Sequence, residues 1–166
     1  MTDRTELVEA LGAYRTARRR FLEALGCDRS NRDPLAEFAE RLAHAVLGGK
    51  LATSRVQKGY DLVTDDGETV QVRYLANSGD TWVNEHLVDF RPGCDRYALL
   101  VVEDLDARSM LVFSREGLSA VCAALGKRHG DQDTTLQFTR ANYRAIAAEP
   151  DRFGRHGVTF VPLGSG

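Results

Sequence analysis

The chain has 166 residues, with 22 Lys or Arg against 24 Asp or Glu and a formal net charge of -2. This length suits one domain, predicted to span residues 1–166, that can bury roughly 70% of its unfolded surface. The near-neutral balance excludes a histone-like polycation but not local basic patches. The longest apolar run, Tyr97 to Val102, is too short to cross a bilayer, so no membrane partner is expected.

Cysteine usage and the N-terminus both predict a cytoplasmic protein. Cys27, Cys94 and Cys122 are odd in number and widely separated, as expected of reduced thiols rather than of a disulfide framework or a zinc knuckle. The residues after Met1 are polar and include acids, which is not the pattern of a signal peptide.

Hydrophobic spacing predicts an α/β fold with a mixed central sheet flanked by helices. A first helix is predicted from Glu6 to Leu25, within an N-terminal helical extension of residues 1–32. A second helix is predicted to begin with Asp33 as N-cap and Pro34 as first helical residue and to run to Leu47. The later predicted elements are a hairpin of strands 59–63 and 69–75, strands 96–103 and 110–113, a helix 115–125, a strand 135–138, a helix 139–148 and a strand 158–161.

Several standard catalytic motifs are absent from the sequence. There is no GxxxxGK[ST] phosphate-binding loop, no GxGxxG, no GxSxG elbow and no HExxH helix. The histidines are scattered and are interpreted as surface or capping residues rather than metal ligands: His44, His86, His129 and His156.

One constellation of polar residues falls on the predicted hairpin. Asp61 lies at the centre of strand 59–63, while Gln71 and Arg73 point to one face of the next strand. If the strands pair through the turn at 65–67, the three side chains converge. An acid, a carbonyl-bearing side chain and a cation together suit a hard divalent metal and a phosphate. An ordinary hairpin with a polar outer face is the alternative interpretation.

The second helix contains two glutamates that lie at different angles from its apolar stripe. With Leu35 at an angle of zero around the helix axis and 100° per residue, Glu37 lies at about 200° and is predicted to face water. Glu40 lies at about 140°, on the flank of the stripe, from which it can reach the edge of the sheet. Glu40 is therefore a candidate site residue.

Taken together, Glu40, Asp61, Gln71 and Arg73 resemble the pattern of the PD-(D/E)XK, or restriction-endonuclease-like, nuclease superfamily. That pattern is a glutamate on an early helix, an aspartate at a strand end, and [E/Q]-x-K on the next strand. Residues 35 to 75 look most like uncharacterised bacterial domains that read AE-x-L, KGYD and Q-[IV]-K. The resemblance implies a restriction-endonuclease-like core.

The resemblance also implies a metal-dependent phosphodiesterase, an endonuclease acting on DNA in restriction or phage defence. Asp61, the Gln71 side chain and the Val72 carbonyl would hold Mg²⁺ (or Mn²⁺), with Glu40 holding it directly or through water. Arg73 would clamp the phosphate, because an arginine in place of the usual lysine cannot act as a base.

Two other functions remain open. The first is a catalytically degenerate domain of the same fold that binds nucleic acid or a protein partner without cleavage. The second is a structural α/β module. A homodimer is expected only by analogy with double-strand cleavage.

Two groups of cations are predicted to bind nucleic acid. One group shares a face of the first helix and could follow a phosphate backbone: Arg15, Arg18 and Arg19. The other group leads into the Asp61 strand: Lys50, Arg55 and Lys58. For the helix arginines, a solvated helix face is the alternative interpretation.

Overall fold

The computed structural model describes residues 3–53, 59–79, 81–128 and 131–164. The helices in these ranges are α1 (Arg4–Ala24), α2 (Pro34–Leu47), α3 (Leu118–Ala124), α4 (Arg140–Ala148) and α5 (Pro150–Gly154). The strands are β1 (Lys50–Leu51), β2 (Leu62–Val63), β3 (Thr69–Asn77), β4 (His86–Asp89), β5 (Arg96–Glu103), β6 (Asp106–Ser114), β7 (Thr135–Phe138) and β8 (Val158–Pro162).

Six strands form a mixed central sheet in the order β1-β2-β3-β5-β6-β8. β3 and β5 run parallel, from the pair Val70 and Arg96 to the pair Asn77 and Glu103, and the other neighbouring strands are antiparallel. β4 and β7 form a separate antiparallel pair. The predicted α/β fold with a mixed central sheet flanked by helices is confirmed.

Each face of the sheet covers its own hydrophobic core. On one face, Val70 and Val72 of β3 pack with Ala39 and Ala43 of α2. On the other face, the second core is built from the sheet, α3, α4, α5 and the β4–β7 pair, and includes Leu75, Leu99, Phe113, Leu118, Phe138, Ile146 and Phe153. β5 is covered on both sides, which explains its continuous apolar run.

Local sequence signals set the elements around the polar constellation. Asp33 caps α2 by accepting a hydrogen bond from the Leu35 amide at 2.9 Å, and its carboxylate also accepts from the Tyr74 hydroxyl of β3. The turn between β2 and β3 needs Gly67, whose φ is 85°. The predicted hairpin is thereby formed, with Leu62 opposite Val70.

The predicted ranges of α2 and β5 match the structure, whereas β1, β4 and α5 were not predicted. β1 has only two residues, and β4 pairs with β7, about 50 residues further along the chain, so neither carries a strong local signal. Within the described ranges, no helix combines the length and the apolar composition that a bilayer crossing requires.

Candidate functional site

Asp61 lies immediately before β2, beside the open edge of β3. The prediction of a strand 59–63 with Asp61 at its centre is wrong, because β2 comprises only Leu62 and Val63. The Asp61 amide donates to the Val70 carbonyl at 2.9 Å, so the backbone pairing of the hairpin reaches this residue. Its carboxylate accepts a hydrogen bond from the amide of Val72, two residues further along the β3 edge, at 2.8 Å. The side chain thus satisfies a β3 amide that β2 does not pair.

The same carboxylate oxygen brings the predicted hairpin residues together. Asp61 Oδ2 accepts from Gln71 Nε2 at 2.6 Å and from Arg73 Nη1 at 3.2 Å, in addition to the Val72 amide. Arg73 Nη1 also donates to the Val72 carbonyl at 2.6 Å. Gln71 and Arg73 therefore lie on one side of β3, while Val70 and Val72 pack toward α2.

Burial differs sharply across this cluster. Asp61 and Gln71 are 8% and 5% exposed, whereas the Arg73 side chain is 42% exposed. Arg73 uses Nη1 for both of its hydrogen bonds, and no acceptor among the described residues takes a hydrogen from its Nη2 or Nε. The guanidinium is therefore anchored at one nitrogen and presents its other edge outward.

A cleft of about 210 Å³ adjoins Arg73. Besides Gln71 and Arg73, its lining residues are His86, Leu87, Asp89, Arg91 and Tyr97. They come from β3, from β4 and the residues after it, and from the start of β5. The cleft is thus assembled by the parallel crossover from β3 to β5.

His86 and Tyr97 form a neutral hydrogen-bonded pair in this cleft. His86 Nε2 lies 2.6 Å from the Tyr97 hydroxyl. Burial, helped by the positive charge of Arg73, lowers the pKa of His86, so its imidazole is uncharged at neutral pH. Burial also raises the pKa of Tyr97, which keeps the phenol protonated. His86 is a half-buried cleft residue, and its interpretation as a surface or capping residue is wrong.

Glu40 is hydrogen-bonded to Arg32, a contact that the sequence did not predict. Arg32 Nη2 donates to Glu40 Oε1 at 2.6 Å, and Glu40 is 2% exposed. The hydrogen bond to Glu40 is the largest cause that raises the pKa of Arg32, and the charge of Asp61 contributes to the same shift. Both carboxylates thus favour the charged form of Arg32, whose hydrogen bond goes to Glu40.

The prediction that Glu37 faces water is wrong, because Glu37 is 1% exposed. Its carboxylate accepts from the Ser30 hydroxyl at 2.6 Å and from Arg41 Nη1 at 2.6 Å. The segment between α1 and α2 folds over this side of α2 and supplies Ser30 and Arg32. A helical projection contains no information about such a covering segment.

The donor set, as it is placed, does not fit a divalent metal. Three carboxylates each have a guanidinium partner within 3.2 Å, in the pairs Glu37–Arg41, Glu40–Arg32 and Asp61–Arg73. The Val72 carbonyl, a predicted ligand, accepts from Arg73 instead. Among the residues that the structure describes, no three His, Cys, Asp or Glu side chains are placed to hold one metal ion. A metal would have to displace resident cations.

The predicted nucleic-acid-binding cations have different surroundings. Arg18 Nη2 donates to the carbonyls of Ser30 and Arg32, at 3.0 and 2.8 Å, so it fixes the α1–α2 connection. The remaining described members of the two groups have exposed side chains: Arg15, Arg19 and Lys50. Three residues singled out from the sequence lie outside the described residues: Arg55, Lys58 and His129.

Sequence reasoning missed the cleft residues His86, Arg91 and Tyr97 and the contact of Arg32 with Glu40. No motif spacing links these residues to Asp61, since the β3–β5 crossover and the α1–α2 connection bring them there.

No protein-family model matches the chain, and no curated protein is similar to it. A restriction-endonuclease-like assignment therefore depends on Glu40, Asp61, Gln71 and Arg73 themselves.

Proposed function

We propose that this protein binds the phosphate backbone of nucleic acid, with DNA as the expected ligand, in the cleft beside Arg73. We further propose that its core is restriction-endonuclease-like and that the Asp61 cluster is the degenerate counterpart of a nuclease site. The observation that carries the proposal is the anchored Arg73 guanidinium, whose Nη2 and Nε edge faces outward.

An arginine edge of this kind suits a phosphate for geometric reasons. The planar guanidinium offers two parallel N–H donors that match two phosphate oxygens. Asp61 and the Val72 carbonyl hold Nη1 at 3.2 and 2.6 Å, so much of the side-chain entropy is lost before a ligand arrives. The ion pair with Asp61 orients Arg73 without covering its second edge.

The other cleft residues favour an anion of limited charge. Arg91 supplies a second cation, while Asp89 supplies a carboxylate on the same lining. The neutral His86–Tyr97 pair adds polar groups that can hydrogen-bond a phosphate without adding charge. A single backbone phosphate fits this balance better than a polyphosphate does.

Binding should be measured by fluorescence anisotropy of labelled DNA and RNA oligonucleotides with EDTA present. Arg73→Ala removes one charge-assisted bidentate contact, which we expect to weaken binding by about 10- to 100-fold, or ~1.5–3 kcal/mol. The slope of log K against log salt should decrease by about 1.

Arg152→Ala is the matched control. The Arg152 side chain is 43% exposed, close to the 42% of Arg73, and it too pairs with a carboxylate, that of Glu149. α5, which carries Arg152, packs on β8 at the far edge of the central sheet from β1. Equal losses of affinity in the two variants would show a diffuse charge effect and refute the Arg73 site.

Metal-dependent cleavage is a second candidate function, favoured by the resemblance of Asp61, Gln71 and Arg73, which the fold brings together, to the nuclease pattern. It comes second because the donor set as placed does not fit a metal. Asp61 and Gln71, with Val72 and Glu40, would be the ligands of Mg²⁺ or Mn²⁺ once the guanidiniums moved away. The expectation of an endonuclease in restriction or phage defence belongs to this candidate.

Cleavage is tested by incubating DNA and RNA with the wild-type protein and with Arg73→Lys, in Mg²⁺ or Mn²⁺. We expect binding without cleavage by the wild type. Metal-dependent cleavage by the wild type that Asp61→Ala abolishes would replace the binding proposal with the nuclease. Cleavage gained only by Arg73→Lys would identify a degenerate site one substitution from activity.

A further inference from the structure

The first four turns of α1 project from the rest of the fold. From Asp3 to Ala17 every residue is exposed except Gly12, which is half-buried. The first fully buried residue of the helix is Leu22. A helical segment of this length is marginally stable alone in water, so it gains from a partner.

An apolar stripe runs along this projecting segment. Leu7, Leu11 and Tyr14 recur at spacings of four and three, with Val8 beside them, and the four side chains are between 57% and 66% exposed. The stripe continues into Phe21, which contacts Phe38 of α2 at a ring-centroid distance of 6.0 Å. The face that packs on the protein at one end is thus uncovered at the other, as at an interaction site.

Charge along α1 is strongly polarised. Residues 3–9 contain three acids and one arginine: Asp3, Glu6, Glu9 and Arg4. Residues 15–23 contain four arginines and one glutamate: Arg15, Arg18, Arg19, Arg20 and Glu23. The first part therefore carries a net charge of -2 and the second a net charge of +3.

We infer that α1 is a homodimer surface on which two copies pair antiparallel through Leu7, Leu11 and Tyr14. Antiparallel pairing places the acidic part of each helix against the basic part of the other, and it also aligns the helix dipoles favourably. Parallel pairing would bring four arginines against four arginines. It would also bring the rest of the two protomers, which packs on the C-terminal half of each α1, against each other.

The size of the stripe sets the strength of the association. Two helices of four turns bury an area at or below the lower end of stable interfaces, about 1,200 Å² in total, which is typical of reversible association. The dimer is therefore concentration-dependent. It leaves the Arg73 cleft unchanged, because none of the cleft residues belongs to α1.

Sedimentation equilibrium of the full chain over a wide range of micromolar concentrations tests this inference. The wild-type mass should rise from 18.4 kDa toward twice that value, and Leu11→Glu should remain at 18.4 kDa. Val83→Glu is the matched control, since Val83 is also an exposed apolar residue, at 78%, but lies outside α1. It should dimerise like the wild type, and circular dichroism should show that both variants keep their folded spectrum.

The dependence on salt tests the antiparallel arrangement. Between about 0.05 M and about 0.5 M NaCl the Debye length falls severalfold, so dimerisation driven by opposite charges should weaken. Arg15→Glu combined with Arg19→Glu should weaken it further at low salt. A monomeric wild type at all concentrations, equal loss in Val83→Glu, or a dimer that salt strengthens would each overturn the inference.

Discussion

Replacement of Asp61 by alanine should destabilise the protein more than any other single carboxylate substitution on the hairpin. Its Oδ2 atom accepts from Gln71, Val72 and Arg73 at 2.6, 2.8 and 3.2 Å, and the residue is 8% exposed. The alanine variant leaves the Val72 amide and the Gln71 amide group without this acceptor.

The magnitude follows from the burial of each donor. Two buried donors that lose their partner cost about 1–3 kcal/mol each. Arg73 contributes little, because its side chain is 42% exposed and water can replace the carboxylate. The sum is about 2–6 kcal/mol, which at roughly 3 °C per kcal/mol for a chain of this size lowers Tm by about 6–18 °C.

Thermal and guanidinium chloride unfolding, followed by circular dichroism, measure this loss. Asp61→Asn retains an oxygen that the Val72 amide can use, so we expect about half of the effect. Asp133→Ala, at an exposed carboxylate in the turn before β7, should stay within about 0.5 kcal/mol of the wild type. If Asp61→Ala is as stable as Asp133→Ala, the carboxylate does not hold the edge of β3.

Three further predictions concern charge, pH and a turn. Asp89→Asn removes the carboxylate from the Arg73 cleft, and anisotropy titrations should show DNA affinity rising about two- to fivefold, or ~0.5–1 kcal/mol; unchanged or weaker binding would count against the cleft. The folded-state pKa of His86 is lowered, so stability decreases as pH falls below the unfolded value near 6.5. Unfolding at pH 7 and pH 5 should show a smaller loss in His86→Asn than in the wild type, and an equal loss would place the titration elsewhere. Leu105→Gly should stabilise by about 0.5–1 kcal/mol in guanidinium chloride, because Asp104 and Leu105 have φ of 52° and 63° in a two-residue hairpin that favours glycine; a loss of stability would contradict this.

Local signals predicted the elements that carry Asp61, Gln71 and Arg73. The Asp33-Pro34 start of α2, the run from Arg96 to Glu103 and the turn at Gly67 each depend on residues adjacent in the chain. The alternation along β3 was enough to place Gln71 and Arg73 on one side.

Residues placed by distant segments could not be predicted in the same way. Glu37 is buried because the connection between α1 and α2, whose Ser30 donates to its carboxylate, covers it, although the helical projection turns it outward. His86 joins the cleft because β4 pairs with β7 beside the sheet. Both outcomes depend on tertiary contacts that hydrophobic periodicity does not encode.

The most direct test of the proposed function is a crystal structure of the protein bound to a short DNA oligonucleotide, grown without divalent cations. We predict a backbone phosphate in the cleft, with its oxygens about 2.7–2.9 Å from Nη2 or Nε of Arg73. Arg73 Nη1 should keep its contacts with Asp61 and the Val72 carbonyl. DNA bound elsewhere, with the outer edge of Arg73 facing only solvent, would contradict the proposal.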